Sequence, residues 1–74
     1  MTLNLSDNKL NEISQGIKRL KKLKVFLLSS NSLQFLPNEI GELTDLEVLE
    51  ASDNQLIALP ETLSSCTLLK VLAV

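Results

Sequence analysis

Hydrophobic and polar residues alternate in four short stretches of the chain, and these stretches recur at an interval of 23 residues. Alternation with a period of two is typical of a β-strand that buries one of its faces. The pattern therefore predicts a short strand at the start of each repeating unit. The side chains predicted to point inward are those of Leu3 and Leu5, Phe26 and Leu28, Leu49 and Ala51, and Leu72 and Val74.

The segments that follow the predicted strands keep the same interval. An asparagine follows each of the first three strands, at Asn8, Asn31 and Asn54. Pro37 and Pro60 come after the second and third asparagines, and proline cannot donate a hydrogen bond to a sheet. The Ile/Leu-x-x-Leu spacing beyond them suits a turn of helix, so we predict irregular or 3₁₀ return segments.

One strand and one return make a coil, and the constant spacing predicts that successive coils run in the same direction. Their strands then form a parallel sheet, and their leucines share one interior. The predicted repeats cover about residues 1–22, 23–45 and 46–68, with a partial fourth over 69–74. Because the sequence begins and ends inside predicted strands, without polar capping units, we expect a segment of a longer array.

The three asparagines stand where the backbone leaves the sheet and turns into the interior, out of reach of water. A carboxamide has donors and acceptors, so a buried asparagine satisfies N–H and C=O groups that this turn leaves unpaired. We therefore predict a structural ladder of Asn8, Asn31 and Asn54 rather than a ligand site.

The motif L-x-x-L-x-L-x-x-N-x-L-x-x-L-P-x-x-I-x-x-L in residues 23–43 resembles the leucine-rich repeat family. The resemblance covers the whole chain. It implies an α/β solenoid, an arc with parallel strands on its concave face and irregular or 3₁₀ returns on its convex side. The repeat length and the L-P-x-x-I-G-x-L return are similar to the intracellular repeats of Ras-pathway scaffolds, the Ras suppressor protein and cell-polarity scaffolds, and to bacterial repeats of similar length.

Composition argues against a catalyst. The chain has no His, Trp or Tyr, so the usual general bases, many metal ligands and most base-stacking side chains are absent. Nine acidic and seven basic residues give a net charge of −2, which offers nucleic acid no overall attraction. No apolar run exceeds four residues, so no membrane span is predicted. We expect no enzyme activity, no cofactor and no bound metal.

Cys66 is the only cysteine, and it stands where the other units have Leu20 and Leu43. We interpret it as a small core residue rather than a reactive thiol. A lone cysteine cannot form an internal disulfide, which favours a reducing, cytoplasmic setting. The sequence Asn4-Leu5-Ser6 matches a glycosylation acceptor, but it lies in a predicted strand and we interpret it as a chance match.

Five basic residues are crowded into residues 18–24, interrupted by the core positions Leu20 and Leu23. We interpret this cluster as a solvated outer face. The alternatives are contact with phosphate or an anionic membrane, or a role in aligning repeats or orienting a partner.

The strand residues that alternate with the core point to the open side of the sheet. Several are apolar, and an apolar patch bordered by polar groups is a common mark of a protein contact site, although valine is also simply a good strand former. The predicted partner-binding residues are Val25, Leu27, Ser29, Val48, Glu50, Ser52, Val71 and Ala73.

The leading hypothesis is a non-catalytic protein-interaction module of the kind found in signalling scaffolds. The alternative is a structural segment that extends an array, or that self-associates edge to edge through its uncapped ends. An enzyme would need a base and a nucleophile within reach of each other, and no local motif supplies them.

Overall fold

The computed structural model describes residues 1–74 as an alternation of four short strands and three 3₁₀ helices. The strands are β1 (Thr2–Asn4), β2 (Val25–Leu27), β3 (Val48–Glu50) and β4 (Val71–Ala73). The helices are η1 (Gln15–Arg19), η2 (Asn38–Glu42) and η3 (Glu61–Ser65). Coil 1 runs from β1 to the end of η1, coil 2 from β2 to the end of η2, and coil 3 from β3 to the end of η3.

The strands form one parallel sheet in the chain order β1-β2-β3-β4. Each strand residue pairs with the residue 23 positions further on, as in the row of Thr2, Val25, Val48 and Val71. The coils are therefore stacked in one direction. This confirms the predicted solenoid, with parallel strands on the concave face and 3₁₀ returns on the convex side.

Each strand has three residues and is shorter than the alternation of hydrophobic residues suggests. Between β2 and β3 the sheet continues for two more hydrogen bonds, from the Leu28 N–H to the Glu50 carbonyl at 2.6 Å and from the Ser30 N–H to the Ser52 carbonyl at 2.9 Å. The backbone then becomes left-handed, with φ of 60° at Asp7, 60° at Ser30 and 56° at Asp53. Aspartate tolerates the left-handed conformation better than serine does. The turn ends the hydrogen-bonded ladder of the sheet.

Each return segment closes as a 3₁₀ helix whose C-cap N–H donates to the carbonyl three residues earlier. Pro37 and Pro60 are the N-caps of η2 and η3 in extended conformation, where the missing N–H costs little. Ser14 caps η1, and its Oγ accepts a hydrogen bond from the Gly16 N–H at 3.0 Å. None of the three helices has the length and apolar composition needed to cross a bilayer.

The hydrophobic core is centred on coil 2. In coil 1 only Ile17 is buried, and in η3 and its cap only Cys66 is buried, because each of these segments has a neighbouring coil on one side only. Hydrophobic residues at equivalent positions of the outer coils, such as Leu3 and Leu63, are half-buried against this core. The fully buried large side chains are those of Leu23, Phe26, Leu28, Leu33, Ile40, Leu43, Leu46 and Leu49.

Helices η2 and η3 approach each other closely because residue 41 is glycine. A Cβ atom at Gly41 would lie 2.5 Å from the Cβ atom and 2.5 Å from the carbonyl oxygen of Thr62. Thr62 Oγ1 also donates to the Asn38 carbonyl at 2.7 Å. The convex sides of coils 2 and 3 are therefore in direct contact.

Candidate functional site

The concave face of the sheet consists of the strand side chains that alternate with the core, arranged in rows by the strand register. One row is mostly apolar, and the row beside it contains one charge, at Glu50. The first row is Thr2, Val25, Val48 and Val71, and the second is Asn4, Leu27, Glu50 and Ala73.

The apolar side chains of this face shield one another. Val25, Leu27 and Val48 are half-buried, whereas Val71, on the edge strand β4, is 44% exposed. Paired side chains on neighbouring strands lie within contact distance, which explains why the central residues are less exposed than isolated strand residues would be. The result is a shallow apolar surface, with the Glu50 carboxylate beside Leu27.

Polar residues border the concave face where the strands end. Ser29 and Ser52, which were predicted to contact a partner, are half-buried at equivalent positions one step before the left-handed turns. At the turns themselves, Ser30 Oγ donates to Asp53 Oδ2 at 2.9 Å. This bond links coils 2 and 3 and fixes the rim of the face.

The Asn31 carboxamide connects coils 1 and 2. Its Oδ1 accepts hydrogen bonds from the Asn8 N–H at 3.0 Å and the Leu10 N–H at 2.9 Å. Its Nδ2 donates to the Leu5 carbonyl at 3.0 Å and the Leu28 carbonyl at 2.8 Å. One side chain therefore satisfies backbone groups of two successive coils.

The Asn54 carboxamide has a similar position between coils 2 and 3. Its Oδ1 accepts a hydrogen bond from the Leu33 N–H at 3.0 Å, and its Nδ2 donates to the Leu28 carbonyl at 3.0 Å. Asn8 differs, because its side chain is exposed and forms no hydrogen bond. Asn31 and Asn54 each reach back to the preceding coil, and within residues 1–74 no coil lies on that side of Asn8.

Cys66 is buried in the core, and its Sγ–H donates to the Ile40 carbonyl at 3.4 Å. Burial raises the pKa of the Cys66 thiol, so the protonated form is favoured over the nucleophilic thiolate. No group of three or more His, Cys, Asp or Glu side chains has an arrangement that could hold a metal ion.

Two lysines, one after η1 and one after η3, form ion pairs with acidic residues of a neighbouring repeat. Lys21 Nζ forms an ion pair with Glu42 at 3.2 Å, and Lys70 Nζ forms one with Glu47 at 3.4 Å. These exposed pairs contribute little stability, but they connect neighbouring coils. The sequence contained a signal for the second pair only, because Glu47 and Lys70 are separated by the repeat length.

A cleft of about 700 Å³ lies between coils 1 and 2, where the chain enters η1 and η2. Residues 12–15 and 35–39 line it. The sequence analysis did not identify these residues as a site. The available signal was the repeat itself, because Glu12 and Phe35 are 23 residues apart and hence lie on adjacent coils.

Comparison with known proteins places these features in context. The family model described as leucine rich repeat matches residues 1–56. Eleven chains of solved structures match this chain, among them a leucine-rich repeat protein of Leptospira interrogans with 37% sequence identity and a TM-score of 0.93. That match covers 95% of this chain but only 18% of the Leptospira chain. No curated protein matches the sequence.

Proposed function

This chain belongs to the leucine-rich repeat family, and from that premise we propose that it is a non-catalytic module that binds a protein partner through its concave face. Leucine-rich repeat domains are typically interaction modules, and the concave face is a rigid surface with variable side chains. The candidate contact residues are Val25, Leu27, Ser29, Val48, Glu50, Ser52, Val71 and Ala73.

The observation that carries the proposal is the apolar row formed by Val25, Val48 and Val71 on an open sheet face. The alternative explanation is that these valines are present only because valine has a high strand propensity. Leu27 lies next to this row. Strand propensity does not explain a leucine at this position, and a role in partner contact explains it better. Glu50 beside Leu27 gives the surface one charge with which to select a partner.

The size of the surface limits the contact. Four strands about 4.8 Å apart, each counted over about five residues so that positions such as Ser29 and Ser52 are included, with a rise of about 3.3 Å per residue, give a footprint on the order of 300 Å². A standard interface buries roughly 800 Å² on each partner. We therefore propose that residues 1–74 supply part of a larger interface, with an apolar side chain of the partner over Leu27 and a hydrogen-bond donor at Glu50.

Site-specific photo-crosslinking tests this proposal. A benzoylphenylalanine at Val48 on the concave face is compared with one at Thr44, an exposed residue after η2. We expect a discrete crosslinked partner from position 48 only. Excess unlabelled chain should compete for it, whereas the Leu27→Thr and Glu50→Lys variants should not. Equal crosslinking from the two positions, or full competition by both variants, would refute the concave-face proposal.

The second candidate, association of one copy with another, is favoured by the exposed residues around β4. Leu72 is 44% exposed and Val74 is 62% exposed, and the outer edge of β4 has no paired strand. Unpaired strand edges favour sideways association. Sedimentation velocity over a concentration series tests this: self-association should appear in the native chain and disappear in Leu72→Glu. A monomer at every concentration would exclude it.

We also propose a cytoplasmic, signalling-related setting. The support is the single thiol of Cys66, which has no disulfide partner, together with the resemblance of the repeat to intracellular scaffold repeats. Localisation of the tagged protein in its own cells is the direct measurement. Export of the protein would contradict this setting and leave the concave-face proposal intact.

A further inference from the structure

The cleft between coils 1 and 2 has features that the concave-face proposal does not use. It is an open groove of about 700 Å³ rather than an enclosed cavity. It lies on the return segments, away from the strand rows. Its lining is mixed, with the apolar side chains of Ile13, Phe35 and Leu36 among polar ones.

The side chains on the return segments differ between the two junctions. At the junction of coils 2 and 3, Gly41 contacts Thr62 closely. The equivalent pair at the junction of coils 1 and 2 is Lys18 and Glu39, which are two long side chains. Glu39 also lines the cleft, whereas Lys18 does not.

Phe35 is the most unusual residue of the cleft. It is one of two aromatic residues in the chain, and it is 59% exposed, whereas Phe26 is fully buried. The neighbouring Leu36 supplies the core contact of this segment, so the fold does not require an aromatic side chain at position 35. An exposed aromatic ring attracts a cation over its face.

The charged residues that line the cleft are all acidic. Glu12 occupies the position in coil 1 that corresponds to Phe35 in coil 2, and Glu39 follows in the same lining, at the start of η2. Neither carboxylate belongs to an ion pair, because the two ion pairs of the structure are those of Glu42 and Glu47. Lys18 and Arg19, at the end of η1, are exposed and pair with neither.

From these observations we propose that the cleft binds an arginine side chain presented by an extended segment of a partner protein. The planar guanidinium can stack on the Phe35 ring while its N–H groups donate to the Glu12 and Glu39 carboxylates. The side-chain carboxamides of Gln15 and Asn38 supply further acceptors in the same lining. A lysine ammonium lacks the planar surface and the forked donors, so it fits less well.

Nuclear magnetic resonance titration of the ¹⁵N-labelled chain tests this assignment. The probe is the blocked tripeptide acetyl-Ala-Arg-Ala-amide, and the matched uncharged probe has citrulline in place of arginine. We expect shifts of the backbone amides of residues 12–15 and 35–39 with the arginine peptide, weaker binding at high salt, and no saturable binding of the citrulline peptide.

Variants give the second part of the test. Phe35→Ala and Glu12→Gln should each weaken binding about 2–5-fold, the scale of one exposed cation–π contact or ion pair. The matched controls, Ile57→Ala and Glu61→Gln in coil 3, should leave binding unchanged. All four positions are exposed, so each variant should fold.

Three results would overturn the assignment: equal binding of the citrulline peptide, tighter binding of the lysine analogue, or shifts centred on β2 and β3 instead of the cleft. The test is independent of the concave-face proposal, since Leu27→Thr should leave arginine-peptide binding unchanged.

Discussion

The two junctions between coils are built from the same repeat, yet different side chains hold them together. At the junction of coils 1 and 2, Asn31 Oδ1 accepts two backbone hydrogen bonds, whereas Asn54 Oδ1 accepts one at the next junction. On the convex side the order is reversed. There, Gly41 and Thr62 bring η2 and η3 into close contact, and a cleft lies between coils 1 and 2 where the chain enters η1 and η2.

This difference shows that the periodic residues fix the stacking, while single non-periodic residues decide what each junction leaves open. The hydrophobic positions are equivalent in both junctions. A glycine closes one convex side, and Lys18 at the equivalent position does not. A repeat fold can therefore acquire a cleft without any change to its sheet or its core.

The largest effect is expected when the asparagine of the first junction is removed. Asn31→Ala leaves the Leu5 and Leu28 carbonyls and the Asn8 and Leu10 N–H groups without this partner. Because unsatisfied groups in the interior cost about 1–3 kcal/mol each and some of these will reach water, we expect a loss of about 3 kcal/mol. Urea unfolding followed by circular dichroism measures it.

The matched controls for this prediction are the other two asparagines. Asn54→Ala should cost less than Asn31→Ala, about 2 kcal/mol, because the Asn54 Oδ1 serves one N–H group. Asn8→Ala should change stability by less than about 0.5 kcal/mol, since its side chain is exposed and unbonded. Equal losses at all three positions would refute the difference between the junctions.

Adding a methyl group at the tightly packed second junction should have the next largest effect on stability. Gly41→Ala places a Cβ atom 2.5 Å from the Thr62 carbonyl oxygen, and a backbone atom cannot rotate away. We expect a loss of about 2 kcal/mol in the free energy of unfolding, measured by urea denaturation. Gly16→Ala is the control, since its Cβ would meet only the Ser14 Oγ at 3.3 Å. A similar loss in both variants would contradict the close packing.

A smaller effect is expected from the hydrogen bond across the same junction. Thr62→Val keeps the shape of the side chain but removes the donor to the Asn38 carbonyl, which water can partly replace. We expect a loss of about 0.5 kcal/mol. Thermal unfolding measures this loss. In the same measurement Thr44→Val, at an exposed threonine without a hydrogen bond, should leave stability unchanged. No difference between the two variants would show that this bond adds nothing to the junction.

The sequence predicted the parallel sheet, the return helices and the family because those features depend on periodic positions that can be read in one dimension. The close contact of Gly41 with Thr62 was not predicted, since these residues are 21 positions apart and belong to no equivalent pair. The exposure of Asn8 was also missed, because burial of an asparagine depends on the coil before it. The cleft was not predicted either, because it depends on non-periodic side chains and on the distance between neighbouring coils.

The last prediction concerns Cys66, whose Sγ–H donates to the Ile40 carbonyl across the second junction. Burial raises the pKa of this thiol above its ordinary value of 9.0, so the folded chain retains the proton at pH values where the unfolded chain has lost it. Stability from this group is therefore complete below pH 9.0 and falls as the pH rises toward the raised pKa of the folded state. The informative quantity is the stability difference between the native chain and Cys66→Ala, measured by urea unfolding. We expect that difference to shrink above pH 9.0, and a constant difference would show that the thiol does not titrate differently in the folded core.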